Sequence, residues 1–226
     1  WEDFLDLLIE KALPVQFLME TRVEDIVRDR EILWKYRKAG IIHIYVGIES
    51  TEDSDLEALK KGISSEQAKL ALKLLKEAGI ITETSMILGF PDDTEESIAR
   101  KIETVKDFDP DFAHFLAIAP WPYSDLYKEL EPYIVERDYT KYNLVDPVVK
   151  PKNMTLEDID IQIINGYRDF YMNKFMQMDE EKDEFRKGYV MRAMKRMMSD
   201  SFIKKKLGML KEMPEEIRKI MESKMG

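Results

Sequence analysis

The chain has 226 residues, 44% of them hydrophobic, which is enough to bury a sizeable core in one large domain or a domain with an appendage. Its net charge of -10 and pI near 5.0 exclude nonspecific nucleic-acid binding as the default, and the absence of cysteine excludes disulfides, thiolate metal sites and cysteine nucleophiles within these residues. No apolar run approaches the roughly 20 residues that span a bilayer, and no signal peptide is visible, so the expected location is cytoplasmic.

The first 127 residues alternate between helical and strand patterns. WEDFLDLLIEKAL puts Phe4, Leu7, Leu8 and Leu13 on one helical face and ends at Pro14; VQFLMET follows as a strand. VEDIVRDREILWKYRKAG reads as one helix that buries Ile26, Val27, Ile32, Leu33 and Tyr36 and stops at Gly40. IIHIYVGIES is a nearly continuous apolar strand. Helices around DSDLEALKKG and SSEQAKLALKLLKEAG come next, the second capped by Ser64 or Ser65. IITETSMILGF is the third strand. It breaks at Gly89, Phe90 and Pro91, where Asp93 or Thr94 caps the helix TEESIARKIETVKDF. FAHFLAIAPWP is the fourth strand, running into a proline-rich turn.

Apolar strands alternating with helices predict four parallel strands over residues 15–20, 42–49, 82–89 and 113–119, in that spatial order and covered by helices on one face. This α/β pattern fits part of a (β/α) barrel better than a dinucleotide-binding sheet, because no G-x-G-x-x-G loop follows any strand. The expected domains are the barrel portion over 1–142 and a linker with a helical extension over 143–226, where NLVDPVVKPKN is the linker and a helix starts at Thr155. The chain begins at Trp1 in what reads as the middle of a domain, so a piece of a longer protein is expected.

The tail is Met- and Lys-rich. Lys182–Gly226 holds 13 Lys/Arg against 7 Asp/Glu, which leaves the rest of the chain at -16. A basic tail on an acidic body hints at docking, but a solvated helical face is the preferred explanation. Met191, Met194 and Met198 share one helical face; core packing is preferred there over a grip on a planar cofactor.

Candidate site residues gather at the strands' carboxyl ends, where barrel enzymes place ligand and catalytic groups. Glu20 closes the first strand, Gly47, Glu49 and Ser50 the second, Ser85 lies in the third, and Pro120, Pro122 and Ser124 follow the fourth. Unpaired carboxylates are expensive inside a buried sheet, so acids on two neighbouring strand ends point to function; the rival explanation pairs them with Arg22 or Lys61 at the rim. His43 and His114, the only histidines, make a weak case for a metal and read as satisfied core or sheet-flanking residues.

The motifs METR, GIES, KKG, the AGI before the third strand, GFPDDT and PWPYSDLY stand in an order that resembles the second half of a radical S-adenosylmethionine barrel. Over residues 1 to 175 the chain is similar to the cobalamin-dependent class that includes anaerobic magnesium-protoporphyrin monomethyl ester cyclases and methylases. Tyr123-Ser124 departs from the class's P-x-P-G-T-like turn. The resemblance implies a partial (β/α)6 barrel with S-adenosylmethionine, a [4Fe–4S] cluster and cobalamin, the last two held outside these residues. It also implies generation of a 5′-deoxyadenosyl radical for cyclisation or methylation of a small, porphyrin-like molecule, an electron donor such as ferredoxin or flavodoxin, and no nucleic acid. Carried onto this chain, Glu20, Gly47, Glu49, Ser50, Ser85, Gly89 and Pro91 bind the cofactor, and Phe90 and Trp121 form an apolar wall. The cluster loop is missing, so the fragment alone is expected to be inert. A methylthiotransferase, or a barrel that binds without chemistry, stays open as an alternative.

Overall fold

The computed structural model describes residues 1–59 and 62–200. Along it run α1 (Glu2–Lys11), β1 (Phe17–Thr21), α2 (Val23–Arg28), α3 (Leu33–Lys38), β2 (Ile41–Glu49), α4 (Asp53–Ala58) and α5 (Ser65–Glu77). Then come β3 (Ile81–Leu88), α6 (Glu95–Phe108), β4 (Phe112–Ala117), α7 (Asp125–Leu130), α8 (Leu156–Gln177) and α9 (Glu184–Asp200). The four strands form one parallel sheet in chain order, as the alternating pattern predicts. Two compact units result, Trp1–Gly166 and Tyr167–Gly226; the first carries the sheet and runs past Tyr142. Among the described residues no helix is long and apolar enough to cross a membrane.

The two faces of the sheet differ in chemistry. Ile42, Ile44, Val46 and Ile48 of β2, Thr82, Thr84, Met86 and Leu88 of β3, and Ala113, Phe115 and Ala117 of β4 are all buried. The alternate positions include Tyr45, Gly47, Glu49, Glu83, Ile87, His114 and Leu116, which are only partly buried. Period-two alternation therefore separates an apolar face, against which α5 packs from β3, from a polar open face. Capping fixes where the covering helices start. Ser64 and Gln67 exchange side-chain bonds with each other's backbone N–H at the head of α5, and Thr94 and Ser97 do the same at the head of α6.

Three expectations are corrected. In α1 only Leu5 is buried, while Phe4 and Leu7, and Leu13 beyond the helix end, are about half exposed, because the helix docks by another face. Lys35 of α3 pairs with Glu2 at 2.8 Å and Asp6 at 2.7 Å, and Leu5 lies on that same side. The helix expected over residues 23–40 is broken at Asp29, whose carboxylate accepts from Arg28 Nε at 2.7 Å and from the Tyr36 hydroxyl at 2.5 Å. Val23, Ile26, Leu33 and Tyr36 are buried there, but Val27 and Ile32 only partly. The stretch expected as a linker is packed: Leu144 O accepts from Ala117 N, Ile134 bridges Val149, and Val148 and Val149 are buried beside Phe90, Ile118 and Leu130. Apolar pairs flanking prolines make a core strap here, not a flexible tether.

In the second unit Val190 and Met194 are buried and Met191 is half-buried, in keeping with core packing on α9. The Met198 side chain and the basic stretch beyond Asp200 lie outside the described residues.

Candidate active site

The mouth of the open face is shaped by an irregularity in β2. Pairing with β3 is regular to Val46, shifts register, and resumes at Glu49, which has a left-handed φ of 70°. Such a bulge re-aims the side chain that follows it, and a left-handed glutamate is strained by about 1–3 kcal/mol. Glu49 Oε2 accepts a hydrogen bond from Ser85 Oγ at 2.9 Å, and Tyr45 Oη lies 2.5 Å from the same Oγ. The serine's one proton is directed at Glu49, so Tyr45 donates to Ser85 in turn. Burial raises the Tyr45 phenol to about 12, the Ser85 bond works against that rise, and the Glu49, Glu83 and Glu20 carboxylates add to it. Tyr45 therefore stays a donor at neutral pH.

Beside this chain stands the turn after β3. Gly89 has φ +92°, which only glycine adopts readily. Its N–H and that of Phe90 both donate to Asp93 Oδ2 at 3.0 Å. The other oxygen of Asp93 accepts from Ser97 Oγ at 2.9 Å and from Lys101 Nζ at 2.6 Å. Lys101 is 2% exposed, reaches Asp55 Oδ2 at 2.6 Å, and lies over the Phe90 ring at 5.0 Å. Asp55 Oδ2 in turn accepts from Ser50 Oγ at 2.8 Å, and Ser50 Oγ accepts from Glu52 N. One buried ammonium thus ties the loop after β2 to the turn after β3.

A second cluster lies nearer the amino ends of the strands. Glu83 on β3 stands between the two histidines of its neighbouring strands, with Oε2 2.9 Å from His43 Nε2 and Oε1 2.5 Å from His114 Nε2. Burial works to raise the Glu83 carboxyl, but hydrogen bonds and charge from His114 and His43 outweigh it and lower it to about 2.

The residues expected from sequence separate into two groups. Glu49, Ser85 and Gly47 lie on the open face, and Glu20 is an exposed β1 residue paired in register with Tyr45. Ser50 is fully buried and bonded to the loop, so it supports the mouth without facing it. Gly89 and Pro91 form the turn, and Phe90 is packed in the core behind it with Ile118 and Leu130, while Trp121 is 38% exposed. No ion pair joins Glu20 to Arg22 among the described residues, and Lys61 lies outside them. Sequence reasoning missed Tyr45 and Glu83, read Asp93 only as a candidate helix cap, and gave the histidines no joint role. The signal was the same-face spacing of His43, Tyr45 and Gly47 against Glu83, Ser85 and Ile87.

No group of three or more His, Cys, Asp or Glu suited to hold a metal occurs among the described residues. Residues 2–105 match the model of the radical SAM superfamily. The chain is 37% identical over 204 residues to an anaerobic magnesium-protoporphyrin IX monomethyl ester cyclase of Rubrivivax gelatinosus, covering 90% of this chain and 37% of that protein. It is 32% identical over 166 residues to an uncharacterized methyltransferase of Pyrococcus horikoshii, covering 72% and 36%. The chain thus spans little more than a third of these relatives. Among solved structures it resembles the radical S-adenosylmethionine methyltransferase TsrM of Kitasatospora setae, with a TM-score of 0.52 at 18% identity over 71% of this chain and 34% of that one. The parallel sheet, its order and the family match together make this chain's sheet unit a radical SAM domain.

Proposed function

We propose that this chain forms the S-adenosylmethionine-binding and substrate-facing part of a cytoplasmic, cobalamin-dependent radical SAM enzyme that cyclises or methylates a tetrapyrrole or similar small organic molecule. The observation that carries this reading is the Tyr45–Ser85–Glu49 hydrogen-bond chain at the strand ends, beside a turn held by Asp93.

S-adenosylmethionine presents an ammonium, a sulfonium and ribose hydroxyls, and the mouth offers chemistry that fits them. Glu49, fixed by Ser85, can accept from the ammonium or the ribose, and Glu20 brings a second carboxylate from the adjacent strand. Gly47 keeps the surface between them low. Gly89 and Pro91 shape the neighbouring rim, with Ser50 and Lys101 setting its position. Thiolate ligands for a [4Fe–4S] cluster are not among these residues, which hold no cysteine. With both groups bound, S-adenosylmethionine and the cluster supply radical chemistry fed by a donor such as ferredoxin or flavodoxin. Leu116 and Trp121 provide apolar surface that keeps water from the substrate.

The test is anaerobic reconstitution of the complete enzyme with iron and sulfide, followed by S-adenosylmethionine and magnesium-protoporphyrin IX monomethyl ester. Release of 5′-deoxyadenosine with a cyclised or methylated product is expected. Binding of S-adenosylmethionine without cleavage would instead indicate a barrel that binds without chemistry.

A further inference from the structure

The His43–Glu83–His114 cluster is not absorbed by cofactor binding. It runs across three adjacent strands on the open face, and its exposure rises along the row: the side chains are 9% exposed at His43, 25% at Glu83 and 35% at His114. The two carboxylate oxygens are divided between the rings, so each imidazole is addressed through Nε2. His43 is additionally fixed by stacking on Phe112, with ring centroids 5.7 Å apart. His114 meets Glu83 through Nε2, and its ring is the most exposed of the three side chains. A buried ring stands beside a carboxylate as a close charge contact without an aligned hydrogen bond at Nε2. The carboxylate is hydrogen-bonded to a second ring, and that ring is the most exposed of the three. This graded order is what a hydrogen-bonded acid–base group requires, whereas a plain sheet staple has no need of it.

We propose that His114 is an acid–base residue of this domain, with Glu83 and His43 as its positioning residues, and that its partner is an organic substrate lying on the open face that must give up a proton. Nε2–H donates to Glu83 Oε1, which sets the tautomer and leaves the Nδ1 lone pair for the substrate. In the step, a substrate C–H, N–H or O–H bond breaks with its electron pair left on the substrate, and an Nδ1–H bond forms. The imidazolium is balanced by the ionised Glu83 and hands its proton to water at the open face. No electron is transferred in this step and no further reactant is needed. The nature of the substrate rests on the function proposed above; the tautomer and the order of the row do not.

Two experiments separate the two. Long-range proton–nitrogen NMR of the chain, which has only two histidines, is expected to show His114 as the Nε2–H tautomer, with that preference lost in Glu83→Gln. A His114 ring carrying its proton on Nδ1, or unmoved by Glu83→Gln, overturns the inference whatever the enzyme's substrate. In the complete enzyme turning over magnesium-protoporphyrin IX monomethyl ester, His114→Ala should lower kcat about 10²- to 10⁴-fold, leave S-adenosylmethionine affinity intact, and recover with added imidazole. Unchanged kcat, or a loss that imidazole does not restore, overturns the inference while leaving the proposed function standing. If the unaltered enzyme does not turn over this substrate, the proposed substrate is wrong and the NMR result alone decides for or against His114.

Discussion

Lys101 and Asp93, eight residues apart, meet at 2.6 Å inside the protein, with both side chains at most 3% exposed. The lysine comes from the second turn of α6 and the aspartate from just before its cap, so the helix reaches back to hold the turn that precedes it. Through Asp55 the same ammonium holds the loop after β2.

Replacing this lysine should therefore be costly. Lys101→Met leaves two carboxylates facing each other without their cation and should destabilise the fold by about 3–5 kcal/mol. Lys101→Arg keeps the charge and should lose less. Urea denaturation of the two variants against the parent checks the order. Equal stability of all three would mean that the network contributes nothing.

Glu83 gives a pH dependence with a definite sign. Its carboxyl titrates at about 2 in the folded chain against an ordinary 4.5, so it stabilises the fold above pH 4.5. That contribution is lost as pH falls from 4.5 toward 2. Glu83→Gln should lower stability at neutral pH and flatten this acid limb. Melting temperatures across the window are the measurement; parallel profiles for parent and variant would contradict the assignment.

The strand-end acids predict a binding effect. Glu49→Gln keeps size and hydrogen bonding but removes the charge that meets a cationic ligand. A hydrogen bond to a charged group contributes roughly 1.5–3 kcal/mol, so S-adenosylmethionine affinity in the complete enzyme should fall about 10- to 100-fold. Glu20→Ala should weaken it as well. Calorimetric titration beside thermal unfolding distinguishes this from a purely structural role, which would lower the melting temperature and spare the affinity.

Gly166 of α8 predicts a reversal of the usual helix rule. In a helix interior alanine is favoured over glycine by about 1 kcal/mol. Here a Cβ would stand 2.9 Å from Cγ of the buried Phe115. Overpacking of this kind costs about 1–3 kcal/mol, so Gly166→Ala should lower the unfolding midpoint. A raised midpoint would show that α8 shifts without penalty.

β2 and β3 could be read from sequence because each apolar run follows a helix stop, at Gly40 and Gly79, and the cap of α6 could be narrowed to Asp93 or Thr94 by their place before Glu95 and Glu96. What stayed hidden depended on register. Whether His43, Glu83 and His114 meet is decided by which residue of β2 faces which residue of β3, and His43 pairs in register with Ile81 while Glu83 pairs with Tyr45. No single strand carries that information. The docking face of α1 was misread for a related reason. Its docked side carries the buried Leu5 together with the ion pair to Lys35, a partner 33 residues from Glu2 that the helix's own apolar spacing does not reveal.

The left-handed backbone at Glu49 also limits what could ever stand in its place. Threonine, with a hydroxyl able to meet a ribose, is β-branched and poorly suited to φ near 70°. Asparagine, aspartate and glycine accept that conformation more readily. The bulge in β2 therefore acts as a filter on substitution before ligand chemistry is consulted. Variation at this position should be confined to residues that tolerate the turn, even in a background where the cofactor itself is no longer needed.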